Sequence, residues 1–188
     1  MKFTKKDLSI LIGLLLGKGY IDSKGRISIE QKQKEYCIFK AKLLHSICGG
    51  SDIKVREIIK NKTDINVKEI IENKISDEFI TYGFKKQSKH FIPIRNLLYL
   101  NNKKTYTKAV LDLLDPLAIA LWWMDDGCLT AKYNKESDKP HYMLRLATYV
   151  SKEENELIKQ YFIDNYNMIW NVVKADGKSN DKYMLRCG

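Results

Sequence analysis

The first apolar run of the chain, residues 8–16, follows Thr4-Lys5-Lys6-Asp7, a threonine with an acid three positions on. That spacing lets side chain and backbone cap each other at a helix N-terminus, so a helix is expected from there to Gly17, with Gly19 ending it. Residues 20–29 change to the period of two that a half-buried strand needs. Ser23-Lys24-Gly25 supplies the turn of a short hairpin, and Ile27, Ile29 and Gln31 share one face of its second strand. Residues 35–47 return to helical spacing, with Tyr36, Phe39, Leu43, Leu44 and Ile47 on the apolar side and Gly49-Gly50 as the stop. Strands are expected at 53–59 and 65–71, joined across Asn61-Lys62-Thr63, and a third, short one at 80–82. Residues 91–100 read as mainly helical with Pro93 near the start. Asn101-Asn102-Lys103-Lys104-Thr105 reads as a polar loop.

The pattern then restarts. Asp115-Pro116 places an N-cap before a proline at the first helical position. The eight residues 117–124 are apolar on every side, which predicts a helix buried on most of its surface and closed by Asp125-Asp126-Gly127. A hairpin with a long polar turn (134–139), a strand at 143–150, a helix at 152–162 and strands at 170–174 and 183–186 follow. Helix, hairpin, helix thus occurs twice. The chain is predicted to be an α+β protein, a diverged internal duplication of αββαββα halves, two β-saddles around two central packed helices. The expected boundaries are 1–100 for the first half, 101–115 for a linker, and 116–188 for a second half lacking its final helix. Two apolar helices that tolerate small residues can pack side by side and bring their C-terminal ends to one place.

Composition narrows the class. With 44% hydrophobic residues in 188, a core is within reach and a disordered tail is excluded. The 33 Lys and Arg against 23 Asp and Glu give a formal net charge of +10, which favours a polyanionic partner, nucleic acid before membrane surface. The N-terminus combines a basic start with an apolar run, yet no small-residue cleavage site follows and the run leads into Lys18. A buried helix is expected, neither a signal peptide nor a membrane span. Cys37, Cys48, Cys128 and Cys187 have no CxxC spacing and His45, His90 and His141 lie far apart, so neither a zinc site nor a disulfide framework is expected.

The two helix ends resemble the signature of the LAGLIDADG homing endonucleases. Leu11-Ile12-Gly13-Leu14-Leu15-Leu16-Gly17-Lys18-Gly19 matches its nine positions except the acidic eighth. Ile119-Ala120-Leu121-Trp122-Trp123-Met124-Asp125-Asp126-Gly127, 108 positions later, is similar to the Trp-x-Met-Asp-Asp-Gly variant of the two-motif, single-chain intron-encoded subgroup. The likeness extends to residues 101–105 and to Ser151-Lys152-Glu153-Glu154. The resemblance implies two four-stranded saddles in the major groove of double-stranded DNA, and a divalent cation, Mg²⁺ or Mn²⁺, held at the acid that closes each motif helix. It implies Asp126 as metal ligand with Asp125 beside it, Lys104 as the lysine that polarises an attacking water, and Gln31 and Thr148 as residues near the cation. The base-reading surface it implies comprises Lys24, Arg26, Gln31, Lys32 and Gln33 in the first half, and Lys132, Tyr133, Asn134, Lys135, Arg145 and Tyr149 in the second. Arg and Lys can read guanine, and Gln and Asn adenine. A carboxylate at a helix C-terminus adds to the partial negative charge already there, so the Asp126 end favours a cation on physical grounds as well.

One position departs from the signature. Lys18 stands where the first motif carries an acid, and an ammonium cannot ligate a metal. Asp22, the next acid along, falls in a strand. Two expectations follow. The first is a monomeric, metal-dependent endonuclease for a long pseudo-palindromic target, as in intron homing, strand-biased or inactivated by Lys18. The second is a non-cleaving binder of the same fold, an intron RNA maturase or a DNA-binding regulator. Either is expected in a mitochondrion or chloroplast, or in a bacterial or phage cytoplasm, and neither is secreted nor in a membrane.

Overall fold

The computed structural model describes residues 2–59, 80–134, 137–175 and 181–188, with the backbone alone for 132–134 and 137–139. The expected strand at 65–71 and its turn, Gly177, and Lys135 lie outside the described residues. The chain divides into two compact units: Met1–Phe3 with Lys18–Arg95, and Thr4–Gly17 with Asn96–Gly188. The first motif helix therefore belongs to the same unit as the second motif.

In the first unit, β1 (Tyr20–Ile21), β2 (Arg26–Gln31), β3 (Arg56–Ile59) and β4 (Ile80–Gln87) form an antiparallel sheet in the order β1-β2-β4-β3. Strand β2 alternates as expected, with Ile27, Ile29 and Gln31 buried and Arg26, Ser28 and Glu30 on the other face. Strand β4 is eight residues long, where only 80–82 was expected. Gly83 interrupts its pattern because neighbouring strands crowd that point: an added Cβ would lie 2.7 Å from the Ile58 Cδ1. Helix α2 (Lys34–Cys48) covers the apolar face with Tyr36, Cys37, Ala41 and Leu44. Phe39, expected on that face, is 46% exposed and stacks on Tyr36 instead. Its place in the buried stripe goes to Lys40, whose ammonium sits 4.4 Å from the Tyr36 ring centre.

A 3₁₀ turn (Lys89–Phe91) and α3 (Ile92–Leu98) lead out of this sheet. The loop expected at 101–105 is in fact the end of a small hairpin, β5 (Tyr99–Leu100) with β6 (Lys103–Lys104). Asn101 and Asn102 both have positive φ, 49° and 61°, as a two-residue turn between strands of right-handed twist requires.

The second unit holds α1 (Lys5–Leu16), α4 (Lys108–Leu111), α5 (Pro116–Asp126) and α6 (Lys152–Tyr166). Its strands β7 (Gly127–Asn134), β8 (Ser137–Val150), β9 (Asn171–Lys174) and β10 (Tyr183–Cys187) form an antiparallel sheet in the order β7-β8-β10-β9. That order repeats the first sheet's, and the repeat seen in the sequence is thus a repeat of topology. Thr4 caps α1 reciprocally with Asp7, and Asp115 caps α5 through a 2.8 Å bond from the Ala118 N–H. Helices α1 and α5 pack against each other, and Gly13 makes this possible: an added Cβ would fall 2.6 Å from the Ala118 α-carbon. The Asp115 N–H donates to the buried Ser9 hydroxyl at 2.8 Å, pinning the start of α5 to α1. Helix α5 is less buried than its all-apolar sequence predicts. Ala118, Leu121 and Trp122 are buried, whereas Leu117 and Met124 are exposed.

Candidate functional site

The C-terminal ends of α1 and α5 meet in the second unit. The Asp125 side chain lies over Gly17, so close that an added Cβ would come 2.5 Å from the Asp125 Cβ. A helix leaves its last four carbonyls without intrahelical donors. On α1 the Lys104 ammonium fills this need: it donates to the Leu15 carbonyl, to Gly17 O at 3.1 Å and to Leu16 O at 3.4 Å. The Tyr106 hydroxyl donates to Leu16 O as well, while its ring stacks 5.3 Å from that of Trp122. Burial pulls the Lys104 ammonium down to about 8, against the opposing pull of the Asp126 and Asp125 carboxylates. Burial chiefly, and then the Asp126 charge, hold the Tyr106 phenol neutral well above its ordinary range. Both carboxylates are thus near enough to act on the groups that cap α1.

Among the described residues no group of three or more His, Cys, Asp or Glu is arranged to hold a metal ion. The donor set does fit a hard divalent cation of the Mg²⁺ type, which takes one or two carboxylates and completes its shell with water and phosphate oxygens. Asp125 and Asp126, both partly exposed at a helix C-terminus, are such a pair.

The remaining candidates divide by unit. In the first, Lys18 is exposed directly after the α1 end, and Gln31 is buried at the end of β2 opposite Tyr82. Asp22 is committed to its turn. Its carboxylate accepts the Lys24 and Arg26 N–H groups, each at 2.9 Å, and the bond from Arg26 chiefly lowers its proton affinity. Lys24 is exposed in that turn, and Lys32 and Gln33 are exposed before α2. Arg26 shares the open face of the sheet with Lys85 and Arg56, along a trough of about 990 Å³ that Lys18 also lines. Lys85 falls beyond the strand expected at 80–82, and the basic pair Lys85-Lys86 after Gly83 is its signal; Arg56 opens β3, within the strand expected at 53–59, and faces Gly83 across the ladder.

In the second unit, Arg145 lies in register with Cys128 and Arg186, which makes Arg186 a further cation of that sheet. Tyr149 is exposed with φ of 51°. Lys132, Tyr133 and Asn134 stand on β7. Thr148 is buried, and its hydroxyl is bound to Asn155 Oδ1 at 2.6 Å and to the Tyr183 carbonyl at 3.3 Å. It ties β8 to α6 and β10.

Repeated four-stranded antiparallel sheets, two glycine-tolerant helices in contact, and carboxylates at a helix end beside a buried lysine describe a duplicated α+β protein of the homing-endonuclease fold. Residues 8–188 match the model of the LAGLIDADG DNA endonuclease family, and the chain belongs to that family. It is 25% identical over 181 residues to cytochrome b mRNA maturase bI2 of Saccharomyces cerevisiae, covering 95% of this chain and 40% of that protein. The chain thus spans well under half the length of that relative. Among solved structures, the homing endonuclease I-WcaI bound to its DNA recognition sequence superposes with a TM-score of 0.73 at 22% identity, over 99% of this chain and 76% of that one. Meganuclease I-SmaMI bound to uncleaveable DNA gives a TM-score of 0.55 at 10% identity, over 98% of this chain and 79% of that one. At these identities the structural likeness speaks to the fold. Among the described residues no helix is long and apolar enough to cross a membrane.

Proposed function

We propose that this chain binds double-stranded DNA and that Asp126, holding a divalent cation, serves the hydrolysis of a phosphodiester bond. The observation that carries the reading is the meeting of Asp125, Asp126 and Lys104 at the ends of α1 and α5. A cation held there would neutralise charge on the attacking and leaving oxygens. The protein's own contributions are distinct. Asp126 presents its carboxylate to the cation. Asp125 seats on Gly17 and sets the distance between the helix ends. Lys104 keeps an ammonium beside both acids, where it can polarise a water. Gln31 is kept as a candidate of the first half on the signature resemblance, and Thr148 holds β8 in position. Arg26, Lys85, Arg56 and Arg145 supply sheet cations for phosphates or guanine edges. The test is a strand-resolved nicking assay on a plasmid library with randomised inserts, with Mg²⁺ and with EDTA. Asp126→Asn is expected to keep DNA binding and lose cleavage. No nick in either strand by the wild type would overturn hydrolysis.

A second reading rests on Lys18 and on the maturase relative: a non-cleaving binder of DNA or of intron RNA. An ammonium at the eighth motif position leaves the first motif without its acid. This reading predicts binding that weakens steeply with salt and no cleavage under any metal. A gain of cleavage in Lys18→Asp would favour it, since the scaffold would then need only the missing carboxylate.

A further inference from the structure

We propose that Tyr149 donates its phenol O–H to a backbone phosphate of the bound DNA strand at the Asp126 end of the second unit, and that a strained bulge in β8 holds it out for that contact. The contact rests on the DNA binding proposed above and adds a named phosphate donor to it. Tyr149 is thereby moved from base reading, the role implied by the resemblance, to holding the strand.

The φ of Tyr149 is 51°. A bulky side chain disfavours that region, and the conformation persists only where the surroundings impose it. Here they do. Strand β8 pairs with β10 at Leu146–Leu185 and next at Val150–Tyr183, so residues 147–149 of β8 stand against Met184 alone. On one side of Tyr149, the Thr148 hydroxyl donates to Asn155 Oδ1 at 2.6 Å. On the other, the Val150 carbonyl accepts from Asn155 Nδ2 at 3.4 Å. Thr148, Val150 and Asn155 are all buried. One asparagine thus clamps both neighbours, and Tyr149 between them is turned out to 41% exposure. Glycine or asparagine would adopt this conformation more easily. The tyrosine is therefore explained by what its side chain reaches, and not by the needs of the backbone.

Its place is where α5 ends. Strand β7 starts at Gly127, opposite Leu146 and directly after Asp126. Strand β8 runs on past that start through residues 147–150. At about 3.3 Å per residue, Tyr149 lies at most about 10 Å along the strand from Leu146. The first sheet has a different course: β2 and β4 stay in register from Arg26–Gln87 to Gln31–Tyr82. From Ser28, the partner of Tyr20, to the α2 cap Gln33 the chain is one residue shorter than from Arg145, the partner of Cys128, to the α6 cap Ser151. The second half has the additional residue at its bulge. Charge separates the halves too. The first, with Lys18 in its motif, exposes Lys32 after β2, whereas the second, with Asp126, exposes the neutral Tyr149. An ammonium would be repelled by a divalent cation held at Asp126, and a phenol donates a hydrogen bond without adding charge. Tyrosine hydroxyls are among the groups that bind phosphate and fix a protein's register on DNA.

The test compares wild type, Tyr149→Phe and Tyr149→Asn on duplexes that the wild type selects from a randomised pool, with binding measured in EDTA so that cutting does not intervene. Tyr149→Phe keeps the ring and the backbone and loses only the O–H. It should melt with the wild type and bind about tenfold more weakly, or some 1.4 kcal/mol. The loss should be the same on every selected duplex, with an unchanged salt slope, because a neutral donor to phosphate releases no counterion and reads no base. Ethylation interference should reveal a phosphate on which the wild type depends and Tyr149→Phe does not. Tyr149→Asn should bind as weakly as Tyr149→Phe, yet its Tm should equal or exceed that of the wild type, since asparagine tolerates positive φ. Equal binding by wild type and Tyr149→Phe would overturn the contact. So would a loss confined to some of the duplexes, which would return Tyr149 to base reading, and so would a Tm lowered in Tyr149→Asn, which would make the residue a packing element. A wild type that selects no duplex at all would sink the DNA-binding reading, and this contact with it.

Discussion

The Asp125 side chain rests on the α-carbon of Gly17, and the same glycine's carbonyl accepts the Lys104 ammonium at 3.1 Å. One small residue thus receives a carboxylate on one side and a cation on another. A methyl group at position 17 would overlap a side chain, whereas at position 13 it would overlap the backbone of Ala118. Gly13, inside α1, gives up helix propensity that alanine would restore, worth about 0.5–1 kcal/mol, whereas Gly17 lies past the helix at its C-cap. Overpacking costs about 1–3 kcal/mol, and more where backbone must move. Gly13→Ala is therefore expected to lower Tm more than Gly17→Ala, with each net kcal/mol shifting Tm by about 2–4 °C. Thermal melts followed by circular dichroism decide the order. Gly17→Ala should in addition impair metal-dependent nicking, because Asp125 is displaced while the fold remains.

Ser9 and Asp115 form a second link between the helices. The Ser9 hydroxyl accepts the Asp115 N–H, and the Asp115 carboxylate accepts the Ala118 N–H, both at 2.8 Å. Asp115→Ala removes an N-cap and should cost about 1 kcal/mol. Ser9→Ala leaves an N–H without its acceptor at a part-buried site and should cost about 1–3 kcal/mol. Urea unfolding of the two single variants and the double variant measures both costs. Strict additivity would show that the two bonds do not act through one shared contact.

Lys104 gives a pH signature. Burial holds its folded-state value at about 8, below the 10.5 of the free side chain, with Asp126 and Asp125 opposing the shift. Below about pH 8 both folded and unfolded chains carry the proton, and the cost of the buried charge is fully present. Between about 8 and 10.5 the unfolded chain binds more protons, so this residue's contribution to stability rises with pH. Wild type should therefore gain stability relative to Lys104→Met across that window and run parallel to it below. Parallel curves throughout would show that Lys104 is not buried as described.

The thiols should sort by exposure and charge. Cys128 is exposed, Cys187 is half-buried, and Cys37 and Cys48 are buried. Burial, ahead of any neighbouring charge, pushes the Cys37 thiol up to about 11, and its Sγ donates to the Tyr82 carbonyl at 3.3 Å. Only the thiolate reacts readily. In the native protein at pH 8, an alkylating reagent should modify Cys128 first and Cys37 only with global unfolding. Mass spectrometry of digested samples reads the order directly.

The motif helices and the repeat were legible because they rest on local signals: capping pairs, a proline at the first turn, and apolar spacing. The hairpin around Asn101-Asn102 was not read, because the polarity of residues 101–105 suggested a loop, although two consecutive asparagines tolerate the positive φ its turn requires. Other features were not local. The exposure of Met124 depends on what lies beside α5, which an apolar run cannot reveal. The burial of Lys40 depends on the Tyr36 ring across one turn. At the site, Asp125 and Asp126 stood out by type and position. The capping of α1 by Lys104 could not be read from the chain alone, because it joins groups 89, 88 and 87 residues apart.

The placement of α1 has a consequence for how the molecule can be divided. It opens the chain and starts the first repeat, yet it packs with the elements of the second repeat. The boundary between repeats in sequence is therefore not a boundary between folding units. A fragment ending near residue 100 would carry α1 with Ser9 and Gly13 facing water, and the complementary fragment would expose Ala118 and Leu121. The first repeat has given its opening helix to the second, so a cut between the repeats would strand α1 away from the helix it packs on.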